Sequence, residues 1–515
     1  MLKRRVRRVV VVAAAVVALP VFGVDDTTRE ALLELPHVVD EVMHRWEVPG
    51  AALAVVHRGE VVFVGGFGVR DLVRKEPVTA DTIFSAASTT KAFTAVAVGM
   101  LVDEGTVSLD HPVRAYLPEF AVQNDHASAE LTIRDLLAHR TGMRRHDAVW
   151  YRSEASRDEL ISRLEYLRLT SGIREKFHYN NLMYMVAGRV VGKVSGGTWE
   201  EFVTGQIFEP LGMQRSGFGT PPSDDANVAL PYAIDPEGEV VPALPYTGWA
   251  IGPATSITTT ADDISRWLRL LLGNGVFGDR RLLSPEFSRE IFTPQMVVST
   301  LGPDEEPITT YGLGWFVQTY RGRLMAWHTG SIDGYYSMVA LLPSDDLGVA
   351  ILTNRSEHFL PEVVSRWVFD RFLGLPEINW SERLEFRDAT IQKAQAEAIA
   401  ARESLRKLGT SPSVASEALA GRYRHPAYGD VTIGVDEDMG LSAGFHGMIG
   451  PLEHFHDDAF LFRLDGYELR DEFVIRFQVG VDGSVLSLAA TMEDEVPPVV
   501  FMRMSGDPPE DPPIP

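Results

Sequence analysis

The chain contains no cysteine in its 515 residues. That excludes disulfides, a thiolate nucleophile and cysteine-ligated zinc. It does not define a compartment. Positive charge is scarce as well. Only 48 Lys and Arg stand against 71 Asp and Glu, for a formal net charge of −23. Such a surface lacks the basic footprint that nucleic-acid binding requires. The simplest reading of the excess is a solvated surface. Lysine is rare, found only at positions 3, 75, 91, 176, 193, 393 and 407. Long apolar runs are limited to one, residues 9–24, behind the basic cluster Lys3, Arg4, Arg5, Arg7 and Arg8. The run is shorter than the roughly 20 residues that a membrane span needs. It suits the apolar region of an export signal. Residues 1–24 are therefore expected to be a signal peptide or an uncleaved anchor, and the protein to be exported.

The remainder has the composition of a folded globular protein, 45% hydrophobic and 23% charged. Its length predicts several domains. No internal repeat is present. Residues 27–46 read as an amphipathic helix with Leu32, Leu33, Val39 and Val42 on one side. Two β-branched runs, 51–57 and 60–66, flank Arg58-Gly59 and predict a hairpin. From Ser88 the pattern turns helical, with candidates at 88–104, 132–138, 157–168, 180–194, 198–207 and 261–273. Strand-like runs return at 314–318, 323–327, 336–342 and 348–353, followed by a helix near 360–374. Strands at both ends with helices between predict one α/β (α+β) domain over 25–378. An antiparallel sheet is flanked by helices, and a helical subdomain is inserted at about 85–290. A polar, Ala-rich helical linker is expected over 379–414, then an all-β barrel-like domain over 415–505. The acidic, proline-rich residues 506–515 read as a disordered tail.

The chemistry concentrates at Ser88-Thr89-Thr90-Lys91. Residues three apart on a helix share a face. A serine hydroxyl attacks only when a base takes its proton, and a lysine amine can do so if burial lowers its pKa. A lysine inside the apolar run AFTAVAVGML fits that requirement. Alone the pair would be unremarkable, a cap followed by a solvated lysine. Two further elements change the reading. Tyr179-Asn180-Asn181 offers a phenol that a cationic lysine would acidify. Its amide, Asn181, can accept from the lysine and donate to a substrate carbonyl. His328-Thr329-Gly330-Ser331 lies on an expected edge strand. Gly330 there permits close backbone approach, and the Ser331 N–H is a candidate oxyanion donor beside that of Ser88.

Ser88-x-x-Lys91, Tyr179-x-Asn181 and His328-Thr329-Gly330, in that order, resemble the three active-site elements of the class C β-lactamase and penicillin-binding protein family. LTIRDLLAHRTGM (131–143), IFEPLGM (207–213), PATSITTTADDISRW (253–267) and SMVALLPSDDLGVAILTN (337–354) agree with it. The resemblance spans about residues 36–376. It implies acylation of Ser88, proton transfer shared by Lys91 and Tyr179, and a substrate amide held by Asn181, without a cofactor. One departure is His328, where β-lactamases of this fold usually carry lysine. A histidine there could donate to a substrate carboxylate. This weakens a dedicated β-lactamase reading and leaves D-amino-acid-type peptidase or amidase, carboxylesterase and weak β-lactamase as candidates for a small-molecule or peptide substrate. A penicillin- or ligand-binding protein without turnover is the competing class. Self-association stays open. The segments AGRYRHPAYGDVTIGV and GPLEHFHDDAFLFRL resemble the lipocalin-like domain appended to some of these hydrolases.

Three signals are set aside. Gly440-Leu-Ser442-Ala-Gly444 matches a nucleophile elbow, but no helix follows it. His454 and His456, placed on one strand face before Asp457 and Asp458, suggest a surface role more than a metal site. His139 reads as a turn-fixing residue.

Overall fold

A computed structural model describes residues 26–505, except 222–226, 236, 301, 304, 437–439, 465–471, 494 and 495. Residues 1–24, read above as an export signal or anchor, and residues 506–515, read as a tail, lie outside the described residues.

The centre is a nine-stranded antiparallel sheet. Strand Gly50–His57 pairs with Glu60–Asp71 on one side and with Leu347–Thr353 on the other. The N-terminal hairpin therefore completes a sheet made mostly by the C-terminal strands Phe316–Tyr320, Arg323–Ile332, Tyr335–Leu342 and Leu347–Thr353. Both faces of Gly50–His57 are buried. Ala51, Leu53 and Val55 face a cluster with helices Asp26–Arg45 and Leu360–Phe372. Ala52, Ala54 and Val56 face the helical subdomain. The period-2 alternation of a strand sorts them, and full burial explains why the run is apolar throughout.

The stripe of helix Asp26–Arg45 differs from the expected one. Ala31, Leu35, Val39 and Val42 are buried, whereas Leu33 is 77% exposed. Steps of four, four and three residues keep one helical face. Leu33 falls two positions out of that phase.

Between the two groups of strands lie the helices, including Thr90–Asp103, Asn181–Ser195 and Ala261–Leu272. Thr90–Asp103 is buried on all sides from Thr90 to Leu101, as its lack of polar spacing demands. Phe93 stacks on Trp267 at 3.8 Å between ring centroids.

After helix Trp380–Glu403, which is largely exposed, the chain forms a closed eight-stranded barrel from Gly421 to Arg503. Neighbouring strands are consecutive and antiparallel, and Gly421–His425 closes on Val499–Arg503. Aromatic side chains such as Tyr423, Phe460 and Phe477 pack inside. Ser442 lies within strand Gly440–Phe445. His454 and His456 do not keep a common strand face, because a bulge falls between them. His454 bonds the Asp457 carbonyl, and the Asp457 carboxylate receives Lys407. No metal-holding group of His, Asp and Glu occurs among the described residues.

Candidate active site

Ser88 sits in a 3-10 turn, Ala87–Thr89, that runs into helix Thr90–Asp103. The helix thus begins two residues later than its pattern suggests. Three donors fix the turn on the Ala86 carbonyl: Thr89 N–H at 3.2 Å, Thr89 Oγ1 at 2.8 Å and Ser337 Oγ at 2.7 Å. Ala87 has φ +46°, a left-handed conformation that is costly for a residue with a Cβ. The strain lies immediately before the serine, where such outliers gather at functional sites.

Lys91 is fully buried. Its Nζ lies 3.0 Å from Ser88 Oγ, 2.7 Å from Asn181 Oδ1 and 3.0 Å from the Ala254 carbonyl oxygen. Burial pushes its pKa well below the usual lysine range. The nearby Arg145 guanidinium pushes the same way, and Asp147 opposes them. An amine that has lost one proton keeps two N–H groups, which Asn181 and Ala254 accept. Its lone pair is then left for the Ser88 hydroxyl.

Tyr179 completes the cluster. Its ring lies 4.7 Å from Lys91 Nζ, and Ser88 is close enough to favour the phenolate. The expected acidification of this phenol is not found. Burial raises its pKa, outweighing the opposing influence of Ser88 and of the Arg145 charge. Asn181 is the first residue of its helix, which Asn180 caps by accepting from Met183 N–H at 3.0 Å. One N–H of the Asn181 amide points to Asp147 Oδ1 at 3.3 Å. His139, at φ +54°, accepts from Asn180 N–H through Nδ1 at 3.1 Å. Its carbonyl accepts from His178 N–H at 2.8 Å. His139 thereby holds the loop that presents Tyr179.

The strand carrying His328 is an edge for only half its length. Its partner Phe316–Tyr320 ends at the pair Phe316–Trp327, so residues 328–332 pair on one side only, with Tyr335–Val339. The nucleophile turn lies over the sheet face at Gly330 and its cross-strand partner Ser337. A Cβ on Gly330 would stand 2.4 Å from Ala86 O and 2.7 Å from Ser88 N. The backbone that needs this glycine is thus the chain's own. Gly330→Ala is expected to cost about 1–3 kcal/mol of stability and to displace Ser88. A thermal-unfolding scan and an acylation assay would both register it, and a fully active variant of normal stability would refute the contact. Thr329 and Ser331 are half-buried on the same stretch.

His328 does not have a free N–H for a substrate carboxylate, contrary to expectation. Nδ1 lies 2.6 Å from the Thr329 carbonyl and must donate to it. Nε2 lies 3.0 Å from the Tyr311 hydroxyl and accepts in the neutral ring. Burial pushes its pKa down to about 3. His328→Lys would place an ammonium in a fully buried position close to Lys91, where burial disfavours charge. Acylation by a penicillin and by an uncharged ester should therefore fall together. A selective gain with the penicillin, read from labelling rates, would show that position 328 reads the carboxylate.

Sequence reasoning missed the Ala254 carbonyl, Tyr311, Arg145 and Asp147. Arg145 Nε bonds Asp147 Oδ2 at 2.6 Å, and its guanidinium lies 5.1 Å from the Tyr179 ring centre. The signal was the charged run RRHD directly after the stretch LTIRDLLAHRTGM.

Comparison with known proteins identifies the family to which this fold belongs. The family model described as Beta-lactamase matches residues 35–369, and a model described as a domain of unknown function (DUF3471) matches residues 405–501. A protein named Unguisins hydrolase from Aspergillus campestris is 28% identical over 79% of this chain and 78% of its own length. Protein flp of Staphylococcus aureus is 24% identical over 65% of this chain and 66% of its own. Among solved structures, the octameric penicillin-binding protein homologue from Pyrococcus abyssi has a TM-score of 0.61 at 24% identity. The match covers 91% of this chain and 99% of that one. A penicillin-binding protein from Bacillus halodurans has a TM-score of 0.52 at 22% identity, covering 65% and 97%. With its sheet, its helical subdomain and the Ser88, Lys91, Tyr179 cluster in place, the chain belongs to the Beta-lactamase family of serine-hydrolase fold.

Proposed function

We propose that the protein is a serine hydrolase that works through an acyl-enzyme on Ser88 and cleaves amide, D-amino-acid-type peptide or ester bonds. The observation that carries this reading is the buried Lys91 amine, 3.0 Å from Ser88 Oγ and depressed in pKa. Lys91 takes the Ser88 proton as the hydroxyl attacks the carbonyl carbon. The N–H groups of Ser88 and Ser331 receive the oxyanion. Tyr179, kept neutral by burial, donates its proton to the leaving group and regains one from Lys91. Water then repeats the sequence on the acyl-enzyme. The hydrolase names of the fungal relatives support turnover over mere binding. With the His328 nitrogens engaged, amides and esters fit better than carboxylate-anchored β-lactams. A panel of D-aminoacyl amides, p-nitrophenyl esters and a chromogenic cephalosporin tests this. Labelling of Ser88 without turnover of any of them would favour a binding protein.

Export through residues 1–24 is part of the same proposal. Fractionation of cells producing the full chain checks it, and an exclusively cytosolic pool would reject it.

A further inference from the structure

The barrel domain reaches the edge of the catalytic cluster. Glu493, between the last two barrel strands, accepts two successive backbone N–H groups of the hydrolase domain. These are Arg145 N–H at 3.1 Å and His146 N–H at 2.8 Å, one on each carboxylate oxygen. Two neighbouring amides converging on one carboxylate make a small anion nest. His146 has φ +49°, so the loop is bent into a conformation it does not adopt freely. Two further barrel residues hold its flanks. The Tyr428 hydroxyl lies 2.6 Å from His146 Nδ1. His446 lies 3.1 Å from the Tyr151 carbonyl and 3.0 Å from that of Tyr428. The buried apolar cluster continues across the same junction, from Trp150 and Tyr151 to Tyr428 and Phe445.

The clamped loop carries Arg145 and Asp147, whose side chains touch Tyr179 and Asn181. We propose that Glu493 is a positioning residue for the hydrolase site: by fixing the Arg145 and His146 backbone, it sets Arg145 against Tyr179 and Asp147 against Asn181. The barrel is then a working part of the active site and not an appended module. This rests on the reading of Ser88 as nucleophile.

The groups facing Lys91 show what the clamp controls. Tyr179 and Tyr184 come from the loop and helix around Asn181, His139 from the turn packed on them, His328 from the strand Arg323–Ile332, and Arg145 and Asp147 from the clamped loop. Arg145 lowers the Lys91 pKa, and Asp147 opposes it with the smaller effect. A released loop should therefore let the Lys91 pKa rise.

The test uses the full chain and a fluorophosphonate probe, with the labelling rate followed against pH. Glu493→Ala is expected to slow labelling on the order of tenfold to a hundredfold, the scale of an ångström-sized misplacement. It should also move the acid limb of the profile to higher pH. Glu493→Gln, nearly isosteric and keeping one carbonyl acceptor, should show the same shift to a smaller extent. It carries the test if the alanine variant is insoluble. Asp482→Ala, on an exposed barrel turn, should match the wild type. Slower labelling with an unmoved limb would mean a merely structural role and overturn the proposal. So would wild-type behaviour of both Glu493 variants. If the wild type itself does not label at Ser88, the reading of the nucleophile fails instead.

Discussion

Ser88→Ala should lose at least about 10⁴-fold in turnover, the scale seen when a nucleophile is removed from a group that acts as a unit. Its unfolding temperature should stay within about 3 °C of wild type, since 1 kcal/mol moves a domain of this size by roughly 2–4 °C. The structure sharpens this expectation. Ser88 makes no capping bond, because the nucleophile turn is fixed by donors to the Ala86 carbonyl. The hydroxyl lies 3.0 Å from Lys91 Nζ, a contact that belongs to the proposed chemistry. A stable, inactive variant is therefore expected. Near-normal turnover on any substrate of the panel would remove Ser88 from the account.

Lys91→Met should be nearly as severe, at least about 10³-fold, and Tyr179→Phe within the 10²–10⁴-fold span of a general acid–base group. Because both act on one proton path, the double variant should be little worse than Lys91→Met alone. Losses that multiply would mean independent roles. The pH dependence of stability gives a second readout. The folded-state pKa of Lys91 is depressed. Between that value and the ordinary lysine value, the unfolded chain binds one proton more. Stability therefore rises with pH through that window, by about 1.4 kcal/mol per unit for one full proton. Below the depressed value the lysine is charged in both states and the slope vanishes. The wild-type slope should exceed that of Lys91→Met across the window, and urea titrations at several pH values would measure the difference.

The elements with strong periodicity were legible in the sequence. The hairpin at residues 50–71, the buried helix after Ser88 and the barrel strands follow from apolar spacing and turn residues. The phase of helix Asp26–Arg45 was not, because three adjacent leucine and alanine positions allow two stripes and only tertiary packing chooses. In the site, Ser88, Lys91, Tyr179 and Asn181 were readable as residue types, and the structure brings them together. The lowered lysine pKa was expected from its apolar surroundings, whereas the acidified phenol was not found, because burial raises the Tyr179 pKa. His328 misled for a related reason. Its role depends on Tyr311, 17 residues away, and on the Thr329 carbonyl, neither of which a motif records. Glu493 was invisible for want of any local pattern, since its partners lie about 350 residues earlier in the chain.

The central claim is that a neutral Lys91 activates Ser88. Its most direct test is peptide mapping of the fluorophosphonate adduct, with the labelling rate measured against pH. The account predicts the adduct on Ser88, at a rate that rises with pH and levels off well below the ordinary lysine pKa, and no such rise in Lys91→Met. An adduct on another serine such as Ser442, or a Ser88 rate that still climbs near pH 10 as an unperturbed lysine would require, would contradict it.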